Sequence, residues 1–207
     1  MFLCDVGNTS YHFYKDGETF KESVALFDPS SIKEEVVYIC VNPQVLTLLN
    51  KLQNWKNLDR YIDRTNYYET MGVDRIVVSE MIQDGIIIDA GTALTVDVVK
   101  NGIFDGGFIY PGLYAMQKAY KDISSHLDYS FNFECDLDIM PKNSQDAISY
   151  GYLKTLQSEI IRHDMAIYLT GGDAKKFAKI FPDAIVDEML VFKGMKKIIN
   201  VHKELIC

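Results

Sequence analysis

The sequence predicts a mixed α/β fold in which one βββαβα unit is used twice. Two glycine-rich segments echo each other, DVGNTSYHFYKDGETF from Asp5 and DAGTALTVDVVKNGIFDGG from Asp89. In each, an apolar strand ends in Asp-x-Gly and a small polar residue. An alternating stretch follows, then a Lys-Asp-Gly or Lys-Asn-Gly turn. Apolar runs that read as buried strands and stretches of helical spacing fill the rest of the chain.

In chain order, FLCDVG reads as the first strand and leads into a hairpin. Asp16-Gly17 and later Asn101-Gly102 close such hairpins, because Asp-Gly and Asn-Gly favour the tight type I′ turn. VVYICV from Val36 is a buried strand, and the leucines of residues 43–52 fall at helical spacing. A helix over 73–83 follows GVDR, and GIIIDAG from Gly85 is the next buried strand. Residues 113–126 form a helix after a Pro-Gly turn, and 127–143 are irregular enough to be a loop. A long helix over 144–162 with Ser144 as its N-cap, the strand MAIYLTGG from Met165 and a helix over 173–181 complete the reading. The repeat places a lobe boundary near Asp84, giving lobes 1–84 and 85–207.

Composition narrows the function. A chain of 207 residues with 48% hydrophobic residues can bury a real core, as one body of two lobes. Its formal charge of −8 argues against a general nucleic-acid binder, which needs a basic footprint to displace counterions from phosphates. A small anionic ligand is still compatible, provided backbone N–H groups, a few cations and a metal ion neutralise it locally. No apolar run approaches the ~20 residues of a membrane helix, and Met1 leads into FLCDVG without a signal pattern. A cytosolic protein with no membrane partner is the expectation. Cys4, Cys40, Cys135 and Cys207 lack any CxxC pairing and read as reduced thiols.

The repeated Asp-x-Gly carries the chemistry. Glycine at a strand end lets the chain aim amides at a phosphate with no Cβ in the way, a role open to Gly7 and Gly91. Asn8, Thr9, Thr92 and Thr95 offer further hydrogen bonds. Asp5 and Asp89 would repel the same phosphates, so a cation between them is implied, most simply Mg²⁺ with its water shell. Two such loops from two lobes would clamp a triphosphate across a cleft, the positioning that phosphoryl transfer needs. TGGDA from Thr170 ends a buried strand and opens a helix. Gly171 and Gly172 could let a base or ribose pack on the backbone, or the segment could be a helix-capping turn with Asp173 as N-cap.

Together DVGNT from Asp5, GVDR from Gly72, DAGTALTVD from Asp89, GGFIYPG from Gly106 and TGGDA resemble the type III pantothenate kinases. These belong to the sugar-kinase, Hsp70 and actin superfamily. The resemblance implies a duplicated ribonuclease-H-like, actin-like ATPase fold with two lobes and a cleft, and a homodimer. It also implies ATP-dependent phosphorylation of pantothenate to 4′-phosphopantothenate, the first step of coenzyme A biosynthesis. It likens Asp5, Val6, Gly7, Asn8, Thr9, Ser10, Tyr11 and His12 to a first ATP-phosphate motif. DAGT, with Thr92, matches a second, and TGGDA lies in the adenosine region. A monovalent cation, potassium or ammonium, is implied near Asp89.

By the same resemblance Asp74 of GVDR is the general base, and Tyr68, Gly72, Val73, Asp74, Arg75 and Ser144 meet pantothenate. Chemistry agrees for two of them. A primary alcohol is a poor nucleophile unless a carboxylate accepts its proton, and the fork of N–H donors on Arg75 suits a polar or carboxylate end. The family tyrosine matches either Tyr67 or Tyr68, with Tyr68 chosen. GGFIYPG, with Gly106, Gly107 and Gly112, resembles a turn passing close to substrate, and reads equally as a tight loop into a helix. Ser144 stands where the family usually has threonine reaching across the dimer, so it keeps the hydroxyl and loses a methyl. His12 stands where a basic residue is common, and an ordinary imidazole neutralises phosphate less well than lysine. Two other functions fit the same fold: a phosphatase directing water at a phosphate, and a nucleotide-binding regulator. The sequence offers no helix-turn-helix signal for the latter.

Overall fold

The computed structural model describes residues 1–202, and Cys207 lies outside them. The chain forms two compact units, one of Met1–Ile82 together with the chain from Met189 onward, the other of Gln83–Glu188.

In the first unit β1 (Phe2–Val6), β2 (Ser10–Lys15), β3 (Glu18–Ser23), β4 (Val36–Cys40) and β5 (Trp55–Asn57) form a sheet ordered β3-β2-β1-β4-β5. β1 runs antiparallel to β2 and parallel to β4. The β2–β3 hairpin closes at Asp16 and Gly17, whose φ values of 52° and 97° are the two positive angles a type I′ turn requires. Alternation then separates the sheet faces. Cys4, Val6, Tyr11, Phe13, Val36 and Tyr38 bury one side with Trp55 and with Val45 and Leu49 of α1 (Pro43–Leu49). His12 and Tyr14 point to the other side, where Phe192 of α6 (Leu190–Val201) lies 4.8 Å and 5.5 Å from their rings. Full burial of Phe192 is worth about 1.5–3 kcal/mol. α2 (Val73–Ser79) packs on α6 so closely that a Cβ on Gly194 would stand under 3.0 Å from the Val77 backbone.

The second unit repeats the pattern with β6 (Gly85–Ala90), β7 (Ala93–Lys100), β8 (Ile103–Pro111), β9 (Ile167–Thr170) and β10 (Ile185–Val186), ordered β10-β9-β6-β7-β8. Its first strand is again antiparallel to the second and parallel to the fourth. Asn101 and Gly102, with φ of 53° and 72°, make the matching type I′ turn. Its core joins Ile86, Ile88, Leu94 and Val96 to Tyr152, Leu153, Leu156 and Ile160 of α4 (Ser144–Ile161) and Phe177 of α5 (Ala174–Phe177). α3 (Leu113–Ile123) precedes α4.

The second unit keeps the expected βββαβα order with two additions: two helices, α3 and α4, stand between β8 and β9, and β10 follows α5. In the first, no α-helix lies between β3 and β4; that connection holds the 3₁₀ turn Pro29–Ser31, pinned by the Trp55 indole N–H donating to the Pro29 carbonyl at 3.3 Å. Several helices end early, α1 at Leu49, α2 at Ser79 and α5 after one turn, because helix ends fray and tighter 3₁₀ bonds take over the last residues. The N-cap of α4 is Asn143, not Ser144: its side chain accepts the Asp146 N–H at 2.9 Å and donates to the Asp146 carboxylate at 2.6 Å. Asp173 precedes α5 without a capping bond, its carboxylate taken by Lys176 at 2.7 Å. β5, β10 and α6 were not expected from the sequence. Cys4, Cys40 and Cys135 are free thiols, and no helix among the described residues is long and apolar enough to cross a membrane.

Candidate active site

The first Asp-x-Gly forms the turn between β1 and β2. Gly7 N–H donates to the Ser10 carbonyl at 3.0 Å, leaving Asn8 and Thr9 at an exposed tip. The tip is tied down from outside: Asn42 Nδ2 donates to the Asn8 carbonyl at 3.4 Å and Val24 N–H to the Thr9 carbonyl at 3.0 Å. A Cβ on Gly7 would meet only the Ser10 carbonyl, at an ordinary 3.6 Å. Folding therefore does not demand glycine here, and what glycine leaves is a bare approach to the backbone. Asp5 sits half-buried directly opposite His12 in the β1–β2 register. Val6 and Tyr11 are core side chains, so only their backbones can face a ligand.

GVDR opens α2. Gly72 is the N-cap, and Asp74 folds back over it so that Oδ1 accepts the Arg75 N–H at 2.8 Å. A Cβ on Gly72 would stand under 3.0 Å from that oxygen. Here glycine is needed, and its job is to make room for a carboxylate. Burial pushes the Asp74 carboxyl above the ordinary 3.8, and the Arg75 N–H and guanidinium only partly offset it. Val73 is buried and Arg75 is 6% exposed, its guanidinium donating to the Tyr68 hydroxyl and lying 5.6 Å from the Tyr68 ring centre. Tyr68 itself is 44% exposed. The neighbouring Tyr67 turns the other way, its hydroxyl donating to Glu80 at 2.7 Å.

In the second unit the DAGT turn joins β6 to β7. Two glycines back it. A Cβ on Gly112 would stand under 3.0 Å from the Gly91 and Thr92 carbonyls, and one on Gly171, at φ 86°, equally close to Asp89 Oδ1 and to Ala90. Asp173 N–H completes the join by donating to the Ala90 carbonyl at 2.9 Å. Gly171 of TGGDA thus serves the Asp89 carboxylate by close packing, as Gly112 of GGFIYPG serves Gly91 and Thr92. Asp89 is half-buried and Thr92 exposed. Across the sheet register Asp89 faces Thr95 on one side and Thr170 on the other. Thr95 Oγ1 is buried with no hydrogen-bond partner among the described residues. A carboxylate beside an unsatisfied buried hydroxyl oxygen is a donor set that fits a hard cation. Among the described residues no group of three or more His, Cys, Asp or Glu could hold a metal alone, so a divalent ion here would depend on phosphate and water oxygens for most of its shell. Ser144 is exposed at the first position of α4.

Sequence reasoning missed Glu80, Phe192 and Lys197. The last two lie on α6, whose apolar spacing at Leu190, Val191, Met195, Ile198 and Ile199 was the available signal.

Comparison with known proteins places these motifs in a family. The type III pantothenate kinase profile matches residues 38–163. A type III pantothenate kinase of Sulfurimonas denitrificans is 57% identical over 97% of this chain and 98% of its own length. Among solved structures, one from Campylobacter jejuni described as a Baf family transcriptional activator superposes with a TM-score of 0.90 at 37% identity, covering 99% of this chain and 100% of that one. A 2-dehydro-3-deoxygalactonokinase structure from Sinorhizobium meliloti, at 9% identity and TM-score 0.57 over 99% of both chains, speaks for the fold alone. The fold is the duplicated ribonuclease-H-like one of actin-like ATPases and sugar kinases, and the chain belongs to the type III pantothenate kinase family.

Proposed function

We propose that this chain phosphorylates pantothenate by holding and aligning two substrates, with Asp74 as the base that takes the acceptor hydroxyl proton. ATP-dependent phosphorylation of pantothenate in coenzyme A biosynthesis is the activity of its family. The observation that carries the residue assignment is the placement of Asp74: a half-buried carboxylate, in space made by Gly72, beside a buried arginine.

A carboxylate whose pKa burial holds above the ordinary value accepts a proton more readily than an exposed one, assistance worth about 10²–10⁴ in rate. Arg75 supplies planar donors for the polar or carboxylate end of pantothenate, and Tyr68 orients that guanidinium. Gly72 and Val73 offer backbone, and Ser144 a hydroxyl contributed across a homodimer. ATP is met by Asp5, Gly7, Asn8, Thr9, Ser10 and His12, by the backbones of Val6 and Tyr11, and by Thr92. Asp89 with Thr95 holds a monovalent cation, potassium or ammonium. Bound cations, Mg²⁺ among them, supply neutralising charge for the triphosphate. The protein works in the cytosol.

Asp74→Asn tests the assignment in a coupled ADP-release assay. The expected result is a fall in kcat of ~10² or more with ATP binding retained; wild-type turnover would remove Asp74 from the mechanism. ATP consumption that does not rise on adding pantothenate would point to hydrolysis instead. The activator description belongs to the Campylobacter jejuni protein; for this chain a net charge of −8 works against contact with a polyanion, which a gel shift at physiological salt checks.

A further inference from the structure

We infer that Glu80 and Tyr67 are positioning residues for the acceptor site, acting by bracing the loop that carries Tyr68. The inference rests on the proposed roles of Tyr68 and Arg75. Residues 62–72 link the 3₁₀ turn Leu58–Tyr61 to α2 and have no regular structure of their own. Their ends are held by Arg64, which donates to Asp59 at 2.7 Å and to the Met71 carbonyl at 3.1 Å. In the middle, two adjacent tyrosines diverge. Tyr68 takes the hydrogen bond of Arg75 near the start of α2, and Tyr67 donates to Oε1 of Glu80, the residue that ends it. Glu80 stands five positions after Arg75, a rise of about 7.5 Å along the helix.

The two bonds do different things. Tyr68 is an exposed residue that meets the buried Arg75 beside the proposed pantothenate site, whereas Tyr67 is half-buried and is bound instead to Glu80. Glu80 is in turn fixed at its backbone: its N–H donates to the Ile76 carbonyl at 3.0 Å, and its own carbonyl accepts from Lys197 of α6. Helix α6 thus holds the residue that holds the loop. Freeing Tyr67 would let the backbone at residue 68 drift, and Tyr68 would shift from the position at which it meets the Arg75 guanidinium. Since the phenol donates to a carboxylate, the bond is of the strong, charge-assisted kind.

The test is steady-state kinetics on Tyr67→Phe, Glu80→Ala and the double variant, with Glu80→Gln as the conservative exchange that keeps an acceptor oxygen. The expected result is a rise of about tenfold in KM for pantothenate in Tyr67→Phe and Glu80→Ala. KM for ATP and kcat should stay within about twofold, the double variant should be no worse than either single one, and Glu80→Gln should stay near wild type. Equal rises in both KM values, or additive losses, would mean general loosening and overturn the inference. Tyr68→Phe and Arg75→Lys separate it from the reading beneath it. If these raise the pantothenate KM and Tyr67→Phe does not, the brace is wrong and the acceptor site stands; if none does, both fall.

Discussion

Replacing Gly72 with alanine is the sharpest probe of the site, because the structure says what will move. At φ −59° and ψ 137° the backbone accepts any residue. The new methyl would stand under 3.0 Å from Asp74 Oδ1, while its nearest neighbour outside Asp74, Val41 Cγ1, is at a comfortable 3.7 Å. Ordinary contact begins near 3.4 Å, so the oxygen must retreat by more than 0.4 Å. A carboxylate is the free end of a rotatable side chain and gives way before the backbone does, breaking the Arg75 N–H bond as it goes. A misplacement of about 1 Å can cost 10²-fold, so kcat should fall by about 10- to 100-fold. Stability should fall by no more than about 1 kcal/mol, the difference between glycine and alanine at an N-cap. The assay is coupled ADP release alongside thermal melting, on Gly72→Ala alone and combined with Asp74→Asn. If Asp74 carries the effect, the alanine adds nothing once the carboxylate is gone. Wild-type kcat in Gly72→Ala, or a further loss in the double variant, would refute the reasoning.

Three more predictions follow from the same contacts. Asp74 has a raised folded pKa, so its favourable contribution is complete below 3.8 and is lost as pH rises through the folded value; the ionised form therefore costs stability relative to the protonated one. Asp74→Asn should melt no lower than wild type at pH 7, the comparison should turn against it in acid, and the acid limb of the wild-type kcat/KM profile should lie above the ordinary aspartate range; a lower melting point for Asn at pH 7 contradicts this. Gly171→Ala forces a positive φ on a residue with a Cβ and drives that Cβ into Asp89, a strain of about 1–2 kcal/mol before the clash; activation by potassium should weaken more than ATP affinity, and unchanged potassium dependence would detach Asp89 from the cation. Gly194→Ala gains about 1 kcal/mol of helix propensity and loses about 1–3 to overpacking against Val77. A melting point lowered by a few degrees is expected, and a raised one would mean that α2 and α6 do not approach as described.

The twin hairpins were legible because their signals are local: Asp16-Gly17 and Asn101-Gly102 each turn within two residues and need nothing else from the chain. The same holds for strand β6, which carries Asp89, and for the start of α4, though its cap went to Asn143 over Ser144 because the amide both accepts and donates. What could not be read is what depends on distant partners. Strand β5 has only three residues, too few to show a period, and exists because β4 is there to pair with. Gly171 and Gly112 read equally as approaches for a ligand or as turns, and neither reading showed that they pack on Asp89, Ala90, Gly91 and Thr92, a contact between segments far apart in sequence. No local rule separates Tyr67 from Tyr68; their distant partners do, Glu80 for the first and Arg75 for the second.

The first unit is assembled from two stretches of chain, with Gln83–Glu188 inserted between them. During synthesis its sheet emerges well ahead of α6, so the surface around His12 and Tyr14 waits for Phe192 while the whole second unit is made. Closing that long loop has an entropic cost and comes late. A ribosome-bound chain stalled before Leu190 should therefore expose this apolar surface to chaperones, with the second unit, whose strands and helices are contiguous, already able to fold.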